Sequence, residues 1–344
     1  MIRIISCKNK NYLTKLKDFL DIRRSKKAID TSIVLKILAD IKKNKLKAVI
    51  KYEKKFGNNN KIKPTSKEIN KSIKNLDPKI KKSIDFAYNR IFKFHSLQKI
   101  KNIKYVDNYN NKIEYKYVPI SKLGLYCPAN LPSTLLMNAI PAKIAGVKKI
   151  VLANPRSNGK LNAAVMYAAK KIGIKEIYTV GGAQAIASLA YIQKVNKIVG
   201  PGNVYVARAK KEVFGEVGIE GMIAGPSEIT IVADKNTNLE EVVTSMIGQA
   251  EHDINSQCII ISKDTKLLRN VSKLIKLKLN NLPRKKIAEK SLKINGLLIK
   301  AANDKNIIDL INLISPEHLE LQVHKPNKYL NKIFNAGSIC IGKF

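Results

Sequence analysis

From residue 121 to residue 262 the chain alternates short apolar runs with longer helical segments, and few folds accommodate that rhythm. Residues 149–153, 176–180, 197–199, 229–233 and 258–262 read as strands, too short and too apolar for amphipathic helices. Helices are predicted between them over 132–145, 161–172, 183–192, 204–214 and 239–252. Strands that alternate with helices imply parallel sheets covered by helices, with ligands at the carboxyl ends of the strands. The first hundred residues read as mostly helical. Ile33, Leu35, Ile37, Leu38, Ile41, Leu46, Val49 and Ile50 recur near a 3.6-residue period over 30–51, before Gly57-Asn58-Asn59-Asn60 breaks it. Pro64-Thr65-Ser66 offers a new helix start, and a further helix is expected over 77–98. Strand-like pieces at 103–106 and 113–118 flank an Asn-rich turn. After Asp264 come a Lys-rich helix, a strand-like 296–301, another helix and a strand-like 339–341. The expected class is α/β with a helical N-terminal extension.

At 344 residues and 45% apolar, the chain can bury two cores. No run of 18 apolar residues suggests a membrane span, and the basic first ten residues lack the apolar heart of a signal peptide. Cys7, Cys127, Cys258 and Cys340 lie far apart with no CxxC pair, a pattern of reduced thiols in the cytoplasm. The net charge of +38 comes overwhelmingly from Lys. A reader of nucleic acid usually deploys Arg for bidentate contacts, so the charge is read as solvated surface, not as a nucleic-acid partner. A polyanion-binding protein on an old enzyme scaffold is the alternative, marked by steep salt dependence. Residues 221–260 escape the bias with a net −5, as a cation site would require.

Neither GxxxxGK[ST] nor a helix-opening GxGxxG occurs. Instead, Gly181-Gly182-Ala183-Gln184, Gly200-Pro201-Gly202-Asn203 and Ala224-Gly225-Pro226-Ser227-Glu228 turn at strand ends, each setting a polar side chain beside a glycine. Such corners are either ordinary turns or places where backbone approaches a ligand. In the helix expected over 239–252, Asn238 caps the start with Glu241 completing a capping box. Gln249 and His252, three apart on one face, offer an amide oxygen and an imidazole nitrogen to a divalent cation, with Glu251 in support. A His interacting with the helix dipole explains the same spacing. Ser315-Pro316-Glu317-His318-Leu319-Glu320 places a carboxylate beside an imidazole, either an acid–base pair or the acidic first turn of a helix. Cys127 and Cys258 read as buried thiols.

These segments, with Gly124-Leu125-Tyr126, Pro132-Ser133-Thr134-Leu135-Leu136-Met137, Gln249-Ala250-Glu251-His252, Phe94-His95 before Gln98, and Ala336-Gly337-Ser338, resemble the histidinol dehydrogenase family in order and spacing over nearly the whole chain. The resemblance implies oxidation of L-histidinol to L-histidine through the aldehyde in two NAD-dependent steps, with zinc in the site. It implies Glu317 and His318 as the acid–base pair, His318 taking the alcohol proton and Glu317 activating water. Tyr126, Gln184 and Asn203 would contact the cofactor; Ser227, Gln249 and His252 would bind substrate; Gln249 and His252 would ligate zinc. Two Rossmann-like, doubly wound domains in an intertwined homodimer are implied, 121–225 inserted into a domain built from 1–120 and 226–344. Two departures stand out. Cys127-Pro128-Ala129-Asn130-Leu131-Pro132 is shorter than the family's glycine-containing loop, which bears on NAD affinity. The family's further Asp and His zinc ligands follow the segment matching Gly342-Lys343-Phe344, so a C-terminally incomplete chain that binds zinc weakly is expected.

Overall fold

The computed structural model describes residues 2–24, 30–220 and 227–342. Contacts divide the chain into two units, Met1–Ala28 with Gly225–Phe344, and Ile29–Ala224. In chain order, β1 (Arg3–Ser6) and α1 (Tyr12–Arg24) open the first unit. The strand was not among the elements expected in the mostly helical first hundred residues, because four residues are too few to show a period.

The second unit begins with α2 (Ile33–Gly57), interrupted at Lys45 by non-helical backbone, then α3 (Ser66–Lys74) and α4 (Pro78–Ser96). Thr65 caps α3 by accepting the Glu68 N–H, as the Pro64-Thr65-Ser66 start suggested. A ribbon follows, β2 (Ile103–Val106) with β3 (Lys112–Tyr115). The remaining elements are β4 (Lys122–Tyr126), α5 (Pro132–Ile144), β5 (Lys149–Ala153), α6 (Ala163–Ile172), β6 (Glu176–Tyr178), α7 (Gly182–Ala187) with a π-turn over Ser188–Ile192, β7 (Lys197–Val199), α8 (Val204–Val213) and β8 (Gly218–Ile219). Their parallel sheet runs β6-β5-β4-β7-β8. Alternate side chains go to opposite faces, as strand geometry demands. Tyr126, Val151 and Ala153 join Ile37, Ile41, Ile186 and Val206 on one side; Leu125 and Leu152 join Ile84, Leu136, Ile140 and Met166 on the other. Residues 29–120, expected with the chain ends, therefore belong with the 121–224 segment: the apolar stripes of α2 and α4 complete these two cores.

The first unit resumes with β9 (Glu228–Ala233), α9 (Leu239–Ala250), β10 (Gln257–Ser262), α10 (Thr265–Leu279), α11 (Lys285–Asn295), β11 (Gly296–Lys300), α12 (Asp304–Ile314), β12 (His318–Gln322), α13 (Asn327–Leu330) and β13 (Ser338–Ile341). Its sheet runs β1-β11-β10-β9-β12-β13, all parallel. With β1 set aside, both sheets place their first strand in the middle, the next two to one side and the last two to the other. Both are doubly wound Rossmann-like units. Among the described residues, no helix is long and apolar enough to cross a membrane.

Candidate active site

In the second unit the strand order reverses between β4 and β7, where a doubly wound sheet opens a crevice at its carboxyl edge. A cleft of about 560 Å³ lies there, its wall including Tyr126, Arg156, Gly181, Gly182, Gln184 and Asn203. Gly200 makes the corner possible. Its φ is +102°, and a Cβ there would stand 2.0 Å from the Tyr126 carbonyl oxygen. Burial pushes the Tyr126 phenol up to about 12, so its hydroxyl stays protonated and accepts the Gly182 N–H at 3.4 Å. Asn203 caps α8, its Oδ1 accepting the N–H groups of Tyr205 and Val206 at 3.1 Å. All three positions expected to contact cofactor thus meet in one cleft.

Two residues of that cleft escaped the sequence reading. Glu53 of α2 is 1% exposed, and its Oε2 accepts the Gly181 N–H at 3.1 Å and the Gln184 Nε2–H at 3.0 Å. It holds the glycine corner and the amide in place. A carboxylate between Tyr52 and Lys54 at a core position of an apolar stripe was the available signal. Arg156 follows β5 and pairs with Glu68, while its buried Nε and Nη2 have no hydrogen-bond partner among the described residues. An Arg at a strand end, in a chain that uses Lys almost everywhere, was the second signal.

Cys127 begins the loop between β4 and α5. Burial raises its thiol to about 12, and its Sγ donates to the Pro128 and Leu131 carbonyls. It is a structural thiol, and Cys258 is buried likewise.

In the first unit the candidate residues lie at the opposite edge of the sheet. Glu228 opens β9 with Ser227 just before it, and His318 opens β12; these are amino ends, contrary to the carboxyl-end expectation. The segment whose alternative reading was the acidic first turn of a helix opens a strand instead. Here the Glu228 peptide bonds both groups: its N–H donates to Glu317 Oε2 at 3.1 Å, and its carbonyl oxygen lies 3.0 Å from His318 Nδ1. Glu317 and His318 are 3.9 Å apart, beyond hydrogen-bond reach of each other. On the other side, the Gly337 and Ser338 N–H groups donate to the Pro316 and Glu317 carbonyls. A Cβ on Gly337 would meet the Glu317 oxygen at 2.7 Å, which accounts for the glycine in Ala336-Gly337-Ser338.

α9 runs back from the carboxyl end of β9, bringing its last turn to this same amino edge. Gln249 sits in that turn, but the helix ends at Ala250 with Glu251 as its cap, so His252 lies beyond it. The His252 N–H donates to the Gln249 carbonyl at 3.2 Å, a turn in place of the helical face expected. Asn238 caps α9 through the Glu240 N–H and bonds the Glu241 carboxylate side chain to side chain, not in the reciprocal box expected. Ala224, Gly225 and Pro226 lie outside the described residues. Among the described residues, no three His, Cys, Asp or Glu side chains gather to hold a metal. Gln249 and His252 are neutral donors of the right kind, yet two such donors do not make a zinc centre.

The histidinol dehydrogenase family model matches residues 22–344. The histidinol dehydrogenase of Pelagibacter ubique is 55% identical over 351 aligned residues, covering 100% of this chain and 82% of that protein. That of Lactiplantibacillus plantarum is 40% identical, covering 91% and 75%. The crystal structure of histidinol dehydrogenase from Elizabethkingia anophelis superposes with a TM-score of 0.93 at 35% identity, covering 100% of this chain and 81% of that one. An acetylating aldehyde dehydrogenase from Geobacillus thermoglucosidasius reaches a TM-score of 0.51 at 14% identity, a likeness of fold alone. The polyanion-binding alternative finds no support in these relatives. Motif order, doubly wound sheets and relatives agree: the chain belongs to the histidinol dehydrogenase family.

Proposed function

We propose that His318 and Glu317 divide the proton work of the two oxidations that carry L-histidinol through the aldehyde to L-histidine. The family is NAD-dependent, and NAD when bound accepts the hydride of each oxidation. The Glu228 peptide is the observation that carries the division of labour. A carbonyl oxygen beside Nδ1 favours the tautomer with the proton on Nδ1, leaving the Nε2 lone pair to take the alcohol proton. The Glu228 N–H holds Glu317 Oε2, so that the Glu317 carboxylate is fixed in place to draw a proton from water attacking the aldehyde.

The 560 Å³ cleft supports Tyr126, Gln184 and Asn203 as the NAD contacts, with Glu53 holding the corner. The unpartnered N–H groups of Arg156 match the chemistry of a phosphate oxygen. Ser227, Gln249 and His252 stand as substrate-binding positions. Gln249 and His252 would give zinc, which the family binds, an amide oxygen and an imidazole nitrogen; an incomplete donor set supports no step through the metal. The enzyme works as a homodimer in the cytoplasm.

Single-turnover kinetics test the division. Glu317→Gln should leave oxidation of histidinol to the aldehyde within about threefold of wild type and slow oxidation of the aldehyde by roughly 10²-fold or more. Equal slowing of both steps would refute the separate roles.

A further inference from the structure

Among the described residues, six other than glycine take positive φ, and four of these are Asn58, Asn110, Asn158 and Ser315. Those four have short polar side chains, and asparagine tolerates such backbone readily. The other two are Lys45, at φ 49° in the break of α2, and Lys194, at φ 48° after the π-turn. A lysine side chain does nothing locally to offset the strain, and strained backbone clusters where a site is built. Far apart in sequence, these two lysines line the same cavity.

That cavity has a volume of about 560 Å³ and lies within the Ile29–Ala224 unit; none of its lining residues lines the cofactor cleft. Its floor is buried Ile62 with the half-buried rings of Tyr178, at the end of β6, and Tyr191, in the π-turn. Hydrogen bonds fix that floor: the Thr179 N–H donates to the Ile62 carbonyl and Thr179 Oγ1 to the Lys61 carbonyl, both at 2.7 Å. Lys45, Lys63 and Lys194 form the rim, with Lys63 Nζ 5.8 Å from the centre of the Tyr178 ring. Neighbouring Lys42, Lys51 and Lys61 each pair with a carboxylate, of Glu216, Asp40 and Glu68 respectively. The lining includes no Asp or Glu, and among the described residues no carboxylate pairs with the three rim lysines. Glu216 reaches the Tyr191 hydroxyl at 3.5 Å but is held by Lys42 at 2.8 Å.

We propose that this cavity is a second ligand site, for a planar ring that carries an acidic group. Ring faces on the floor suit a planar partner, and three cations without counter-ions suit an anion. A bare phosphate would leave the aromatic floor in water; a neutral ring would leave the lysines unpaired. The volume is that of a small-molecule site.

Fluorine NMR of the full chain carrying 3-fluorotyrosine tests this. Phe substitutions assign Tyr178 and Tyr191, which report the cavity, and Tyr126 and Tyr205, which report the cofactor cleft. 1-Naphthoate should shift Tyr178 and Tyr191 with a Kd below about 1 mM, while Tyr126 and Tyr205 hold still. The neutral 1-naphthalenemethanol should bind at least about tenfold more weakly, and the double variant Lys63→Gln, Lys194→Gln should bring naphthoate down to that level. AMP, run beside naphthoate, identifies the ring: tighter binding at the same two signals assigns a nucleotide, weaker binding an aromatic acid. Shifts confined to Tyr126 and Tyr205, or none that saturate by about 5 mM, would overturn the site. Equal affinity for acid and alcohol would overturn the role of the lysines. That comparison is made on wild-type protein, so it stands whether or not the lysine variant folds.

Discussion

In the Ile29–Ala224 unit the carboxyl edge at the strand reversal is an open cleft of about 560 Å³; at the same topological point of the other unit only about 100 Å³ remains. Strand order is shared, so topology is not the cause. In the second unit Gly200 and Gly181 let the backbone turn where a Cβ would stand 2.0 Å from the Tyr126 carbonyl oxygen and 2.9 Å from the Pro155 Cβ, and among the described residues no side chain bridges the opening. In the first, side chains sew it shut: Thr237 Oγ1 donates to the Gln322 carbonyl at 2.5 Å, and Asp234 Oδ2 accepts the His324 N–H at 2.8 Å. The proposed acid–base residues then lie at the other edge, bonded to the Glu228 main chain. A doubly wound sheet thus offers a crevice without obliging the chain to use it, and a few polar side chains decide.

The largest test of this division is His318→Ala. It should lower kcat for histidinol by roughly 10²–10⁴-fold with NAD affinity unchanged in a titration; an equal loss of NAD affinity would break the separation of tasks. Glu53→Ala strips the acceptor from two buried donors and should raise the KM for NAD about tenfold, on the order of 1–3 kcal/mol for such a loss. Glu53→Gln, which can still accept both N–H groups through one oxygen, should restore most of it. Asp234→Ala reopens the sewn edge. Urea denaturation should show about 1–2 kcal/mol of lost stability, with specific activity per folded chain unchanged. The smallest effect is an expected flatness. With the Tyr126 phenol pushed to about 12, the KM for NAD should not move between about pH 7 and 10 on its account. A wave near pH 9–10 that vanishes in Tyr126→Phe would show that the hydroxyl is not buried as described.

Much of the fold was legible because its period is strong. β5 and β7 coincide with the strands read from sequence, and α5 and α8 differ only at an end. β12 was not, because Pro316, Glu317 and Glu320 together look like the acidic first turn of a helix. Its period of two, Leu319 and Leu321 buried around Glu320, is carried by too few residues to win. Motifs nominated the candidate residues, but not which edge of the sheet they occupy. That depends on whether a motif precedes or follows its strand, and Glu317-His318 was not recognised as preceding one. Glu53 and Arg156 stayed hidden because their meaning comes from partners 128 and 88 positions away.

The Glu228 peptide has one further consequence. Its N–H and C=O belong to the main chain, so the orientation of Glu317 and His318 is transmitted by alignment of β12 on β9, not by any side chain at 228. Proline there would remove the donor, and a one-residue slip would turn His318 and Glu317 to the wrong faces. Errors of strand alignment during folding would therefore yield protein of near-native mass and helix content that is chemically silent, and activity becomes an assay of register.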